Sequence, residues 1–393
     1  MDKLIPGVQP LRAARLFYFF YFGALASLVP FLTVYYELVG LSGRQIGILT
    51  GIPPLVALVA GPIWGGVADV TRRHRLMLAV AVAGVMGTVF AFSRIASFLG
   101  LLPVVFAYAF FTAPIVPLVD NTVMELLANR RGDYGRQRLW GTIGWGVVAP
   151  FVGEASDRLG FNWLFYACLA LLFLALLVAQ TMPVSQGGLK EPFWYSLRRL
   201  LANRALVLLL GTVLMGGMGL SLINNFLFLY MQRLGADNSL MGVALTVGTV
   251  SELPVMFYSG RLLQRWGAPR LLAIGLAAYV VRALALSWIQ NPWLVLPTQL
   301  LHGPVFGLLW VAGVSYASEI APAGMGATAQ SVFGSVMFGL GGAGGGFFGG
   351  FLYDAVGPAL MFRLAGLVVL VAWFLLLLAG RIEARRALTG PPG

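Results

Sequence analysis

Apolar residues fill this chain in long stretches, separated by short segments rich in Gly, Pro and basic residues. None of the stretches alternates with period two. Most are long enough to cross a hydrocarbon core of about 30 Å, which takes about 20 residues of α-helix. Twelve spans are predicted, over residues 14–38, 44–68, 75–94, 97–128, 134–158, 161–181, 205–233, 238–263, 269–289, 292–319, 325–353 and 358–381. The first is not followed by a small-residue cleavage site and eleven more come after it, so it is expected to be retained rather than removed as a signal. The pattern implies an all-α membrane protein. Residues 182–204 form the longest connection and divide the chain into an N-terminal bundle (1–181), a linker (182–204) and a C-terminal bundle with a short tail (205–393). Within the linker, Glu191–Arg204 (EPFWYSLRRLLANR) sets aromatics against arginines, a pattern suited to lying on the membrane surface.

The two halves repeat each other. Gly65–Arg75 (GGVADVTRRHR) matches Gly260–Arg270 (GRLLQRWGAPR) in its opening Gly and closing Arg. Trp140–Gly146 (WGTIGWG) echoes Phe333–Gly339 (FGSVMFG), and Asp157–Gly160 echoes Asp354–Gly357. All three fall in the same order at offsets of 193 to 197 residues. Repeated six-helix bundles in apolar chains are the architecture of secondary transporters, in which two similar bundles rock around a site between them.

Composition sharpens the class. Hydrophobic residues make up 59% of the chain and charged residues 10%, with a mean hydropathy of +0.86; a soluble protein carries about 25% charge. The lone Cys168 excludes a disulfide or zinc framework. With no HExxH, phosphate loop or Ser-His-Asp set in view, neither an enzyme nor a cofactor or metal is expected. The net charge of +12 could attract nucleic acid, but the basic residues sit in short loops between spans. With both termini inside, 18 of the 26 lie on the cytoplasmic side and five on the other. That bias sets a membrane orientation and needs no nucleic acid. The expected setting is a bacterial inner membrane, with the protein as a monomer. The 50 Gly residues are most concentrated in the eleventh span, where close packing is the leading reading and a sliding or bending helix that gates access is the other.

Charges inside the spans carry the candidate chemistry, because each is costly in a bilayer unless it faces a partner or a cavity. Asp120 follows Pro114 and Pro117 in the fourth span, and Arg138 opens the fifth. They can meet as an ion pair, either as a structural clasp or as a polar floor in which Arg grips paired oxygens of a solute. Glu252, just before Pro254, Arg282 and His302 lie on three successive spans of the second half. An acid, a base and an Arg together suit a proton-coupled carrier, and a purely structural network is the other reading. Gln299, His302, Phe306 and Trp310 share one helical face, as do Tyr18 and Phe22. Tyr18, Trp145, Asn224, Asn225, Gln299, His302 and Phe306 are therefore candidates to bind substrate beside Asp120 and Arg138. Glu37 reads as a solvated outer end, and Glu154, Asp157 and Asp354 lie at or near outer helix ends, with none of them expected to bind substrate.

The stretch Gly65, Asp69, Arg72, Arg73 between the second and third spans resembles the signature loop of the major facilitator superfamily. From Pro114 the runs PIVPLVD, DYGRQRLWGTIGW, SELP, YVVRAL and TQLLHGPVFG are similar to the phenylpropionate permease group, relatives of the lactose/proton symporter. The resemblance implies a twelve-helix transporter working by alternating access, with small-molecule substrate, protons and the lipid bilayer as its partners. It implies gating by Asp69, Arg72 and Arg73, substrate binding by Asp120 and Arg138, and coupling by Arg282 and His302. Val305 stands where the lactose carrier has its principal proton-binding Glu, which leaves Glu252 or Asp120 to take the proton. Proton-driven uptake is the leading expectation. Gly146, Ala149, Pro150 and Gly153 resemble part of an exporter signature, so proton-antiport export is a second, and a transport-inactive sensor or scaffold a third.

Overall fold

The computed structural model describes residues 8–71, 73–127, 133–182, 200, 202–322 and 325–389, with side chains for all of these except 8–10, 69, 327 and 378–389. The Asp69 side chain, Arg72 and most of the surface segment 191–204 lie outside that set. Among the described residues every regular element is helical. In chain order the spans are α1 (Leu11–Leu38), α2 (Gly43–Thr71), α3 (His74–Phe92), α4 (Phe98–Leu127), α5 (Tyr134–Leu159) and α6 (Trp163–Thr181). The second half holds α7 (Arg204–Arg233), α8 (Asn238–Trp266), α9 (Ala268–Trp288), α10 (Pro292–Glu319), α11 (326–356) and α12 (358–389). Hydrogen bonding runs on from α11 to α12, and the boundary is a kink at Gly357, φ +76°, next to Pro358. Among the described residues ten segments pass as membrane spans on length and apolarity, the kinked pair counting as one. α5 does not, because Arg136, Gln137, Arg138, Glu154, Asp157 and Arg158 lower its apolarity.

Contacts divide the chain into two compact units: Met1–Lys190 with Gly235–Thr246, and Glu191–Leu234 with Val247–Gly393. In the first, α1 packs on α5 and α6. A Cβ on Gly144 would sit 2.2 Å from the Phe19 carbonyl oxygen, so only Gly allows that approach. The first turns of α8 belong to this unit. Asp157, at the end of α5, accepts the backbone N–H of Asn238 (3.0 Å) and of Ser239 (2.8 Å). It thereby satisfies N–H groups that a helix start leaves without partners. The Thr246 hydroxyl donates to the Gly146 carbonyl at 2.6 Å. Asp157, at an outer helix end, is therefore a helix cap.

In the second unit, α7 lies along α11, with Gly217 against the Met337 carbonyl and Gly345 against that of Met218. The Gly-rich face of α11 is thus packed on α7. One bond recurs in both units. Tyr35 of α1 donates to the Phe92 carbonyl at the end of α3 (2.8 Å), and Tyr230 of α7 donates to the Ile289 carbonyl at the end of α9 (2.5 Å). Each tyrosine satisfies a helix-terminal carbonyl that has no partner within its own helix.

α4 and α10, which carry Asp120 and His302, are both broken. α4 loses its ladder between Thr112 and Ile115, at Pro114. α10 pauses at Leu300–Leu301 and resumes at His302, because Pro304 brings no N–H and crowds the preceding turn. Ser251 of α8 repairs the second break: its hydroxyl accepts the Gly303 N–H at 2.8 Å and lies 3.1 Å from the Gln299 carbonyl. A Cβ at Gly303 would fall 1.9 Å from the Ser251 carbonyl oxygen.

Two outcomes follow from this packing. Tyr35→Phe and Tyr230→Phe should each lower stability by about 1 kcal/mol, the usual net worth of one hydrogen bond, read as matched shifts in unfolding by denaturing detergent. Gly303→Ala should force α8 and α10 apart at a cost of about 1–3 kcal/mol, seen as a lower apparent melting temperature, whereas Gly87→Ala, with nothing within 4 Å of its added Cβ, should be neutral.

Candidate functional site

In the first unit, α1, α4 and α5 assemble a polar cluster inside the apolar spans. Tyr18 of α1, 1% exposed, donates to Asp120 Oδ1 of α4 at 2.5 Å. The restart of α4 after Pro114 carries Asp120 to this point. The Tyr134 hydroxyl of α5 interacts with both Asp120 and Arg138. The Arg138 guanidinium lies 3.9 Å above the Phe22 ring and 5.4 Å from that of Tyr18. Arg15 donates from Nε to the buried Gln137 side-chain oxygen at 2.6 Å. Asp120 and Arg138 do not close to ion-pair distance, as their positions alone had suggested. Phenolic donors take up the carboxylate, and aromatic faces take up the guanidinium by cation–π attraction. Arg138 is half-buried. Trp145 is half-buried on the same helix. Arg73, directly before α3, is exposed.

In the second unit, Glu252 of α8, Arg282 of α9 and His302 of α10 form a linear relay. Arg282, 1% exposed, approaches His302 Nδ1 through one terminal nitrogen and the Gln299 oxygen through the other, each at 2.8 Å. Glu252 Oε1 lies 2.9 Å from His302 Nε2. These contacts fix the histidine tautomer. Arg has only donors, so Nδ1 accepts; the ring proton then sits on Nε2 and points at the carboxylate. The imidazole is full, and a second proton on it would have to expel Arg282. The Arg282 Nε–H has no hydrogen-bond partner among the described residues. The Glu252 and His302 side chains are 20% and 16% exposed, so the acid end of the relay is reachable while the Arg end is sealed. Phe306 lies parallel to the His302 ring, 6.0 Å away.

Asn225 donates to Ser221 on its own helix (3.0 Å), and Ser221 donates to the Gly342 carbonyl of α11 (2.7 Å), which ties that pair to helix packing. Asn224 is exposed. Four contributors had not been singled out: Arg15, Tyr134, Gln137 and Ser251. Tyr134 had a signal, since it precedes Arg138 by four residues and shares its helical face. Ser251 had one in the SELP run, just before Glu252. Among the described residues no cluster of His, Cys, Asp and Glu suits a metal ion.

Comparison with known proteins places this geometry. The chain is 34% identical over 333 residues to a maltose permease of Geobacillus stearothermophilus, covering 83% of each chain. It is 28% identical to a probable 3-phenylpropionic acid transporter of Escherichia coli, covering 94% of this chain and 97% of that one. The solved nucleoside transporter NupG has the same fold, with a TM-score of 0.84 at 18% identity over 95% of this chain and 99% of that one. Matched over residues 11–364, the chain belongs to the MFS_1 like family and is a multi-pass membrane transporter of the major facilitator superfamily, not an enzyme.

Proposed function

We infer that this transporter takes up a small organic solute together with protons, by alternating access, as a monomer in a bacterial inner membrane with both termini in the cytoplasm. The relay of Glu252, His302 and Arg282 carries this reading. Arg282 keeps its charge in a sealed interior, and Glu252 supplies the compensating charge through a neutral imidazole. A proton on Glu252 cancels that compensation and leaves a buried cation unbalanced, which is expensive. The relay is then less stable in its present arrangement, and a differently packed state is favoured. A proton shifts such an equilibrium only by binding the two states with different affinity. Since the imidazole is already full, Glu252 is the group that receives the proton.

Asp120, Tyr18, Tyr134 and Arg138 form the solute-binding counterpart. The guanidinium is stacked on Phe22 and has no carboxylate partner at ion-pair distance among the described residues, so it suits paired oxygens on the solute, a carboxylate or vicinal hydroxyls. Maltose and 3-phenylpropionate, the solutes named for two relatives, each offer such a pair. The run that resembles part of an exporter signature packs on the start of α8. Gly146 accepts the Thr246 hydroxyl, and Ala149 lies against Gly242. Gating by Asp69, Arg72 and Arg73 is part of the same proposal and rests on the signature loop.

Reconstituted in liposomes, Glu252→Gln should lose accumulation of solute driven by an imposed pH gradient while retaining counterflow exchange. Continued pH-driven accumulation by that variant would move the proton site to Asp120. Arg138→Lys should weaken solute binding by roughly tenfold, because a single ammonium cannot replace a bidentate grip, with the pH dependence of coupling unchanged. An equal affinity in both proteins, measured by equilibrium binding, would remove Arg138 from the site.

A further inference from the structure

Over Ser335–Leu340, α11 widens from α-helical to π-helical hydrogen bonding. The consequence is visible in the rings around Trp310 of α10. Its ring centroid lies 6.0 Å from Phe333 and 5.3 Å from Phe338. In a regular α-helix, residues five apart point about 140° away from each other, so both could not face one tryptophan. A π turn bonds i to i+5 and brings such residues nearer to one face, and such turns are frequent at functional sites. Phe338 also meets Phe306 at 6.3 Å, and Phe306 lies parallel to His302 within 4°. The rings thus run from fully buried Phe333 to Phe338, 41% exposed, alongside the reachable end of the Glu252–His302 pair. Burial of apolar surface alone explains Phe333. It does not explain an irregular turn that holds an exposed ring beside a titratable pair.

We propose that Phe306, Trp310 and Phe338 form a stacking subsite for a flat ring with an apolar face, carried by the transported solute, and that the π turn holds Phe338 in that subsite. The proposal rests on the transport reading above. An aryl ring and the face of a pyranose share this chemistry: each offers C–H or π surface to aromatic rings while its polar edge can reach the neighbouring imidazole and carboxylate.

The test is calorimetric binding of maltose, 4-nitrophenyl α-maltoside and 3-phenylpropionate to the purified protein and to Phe338→Leu and Phe338→Tyr. Phe338→Leu should bind the recognised ring roughly tenfold more weakly, while Phe338→Tyr, which keeps the ring, stays within about twofold. A loss for maltose identifies a pyranose; a loss confined to the two aryl compounds identifies an aryl ring. If Phe338→Leu does not fold, Phe306→Leu reads the same subsite. Unchanged affinity in a folded leucine variant overturns the subsite and leaves the transport reading standing. Failure of the unmodified protein to bind any of the three also overturns it, and pH-driven uptake then decides the transport reading on its own.

Discussion

Arg282 is a full positive charge, 1% exposed, inside a helix long and apolar enough to span a bilayer. An isolated cation in such a place costs many kcal/mol, so the surrounding structure must compensate it. The compensation is indirect. Gln299 takes one end of the guanidinium, His302 takes the other, and Glu252 supplies the negative charge beyond the imidazole. Much of the second unit serves this arrangement. Pro304 breaks α10 so that His302 starts a helix, and Ser251 satisfies the N–H that the break exposes. Gly303 lets α8 approach closely enough for Glu252 to reach the ring.

The first unit solves a related problem differently. Its acid and its guanidinium are compensated separately, Asp120 by phenolic donors and Arg138 by aromatic faces. A sealed relay suits a group that must respond to a proton. A half-buried guanidinium stacked on a ring suits a group that must meet a solute. The two units share helical packing and the tyrosine bonds from Tyr35 and Tyr230, yet their buried charges fall on different helices. Common scaffold and divergent polar chemistry are what a transporter needs if one half binds and the other couples.

Much of this was legible in the sequence. Apart from the first helix, which starts at Val8 rather than near residue 14, the helix ends of the first ten spans agree with the structure to within three residues, because apolar length and Gly or Pro punctuation report directly on membrane helices. The grouping of Glu252, Arg282 and His302 was also legible, since three buried charges on successive antiparallel helices have few other partners. The rest depended on side-chain geometry that spacing does not encode. Tyr18 was a candidate beside Asp120, but spacing did not show that its hydroxyl would take up the carboxylate while Arg138 stacks on Phe22. The capping role of Asp157 was not legible because the N–H groups it caps lie 81 and 82 residues away. The π turn of α11 hides among glycines that fit a regular helix equally well.

The central claim is that Glu252 takes the coupling proton while His302 stays singly protonated and bonded to Arg282. Difference infrared spectroscopy of the reconstituted protein, stepped through pH with isotopically labelled glutamate, tests it most directly. The account predicts a protonated-carboxyl band that grows as pH falls, disappears in Glu252→Gln and responds to bound solute, with no imidazolium signal from His302 while the band develops. An imidazolium signal from His302 that titrates first, or the absence of any carboxyl band assignable to Glu252, would contradict it.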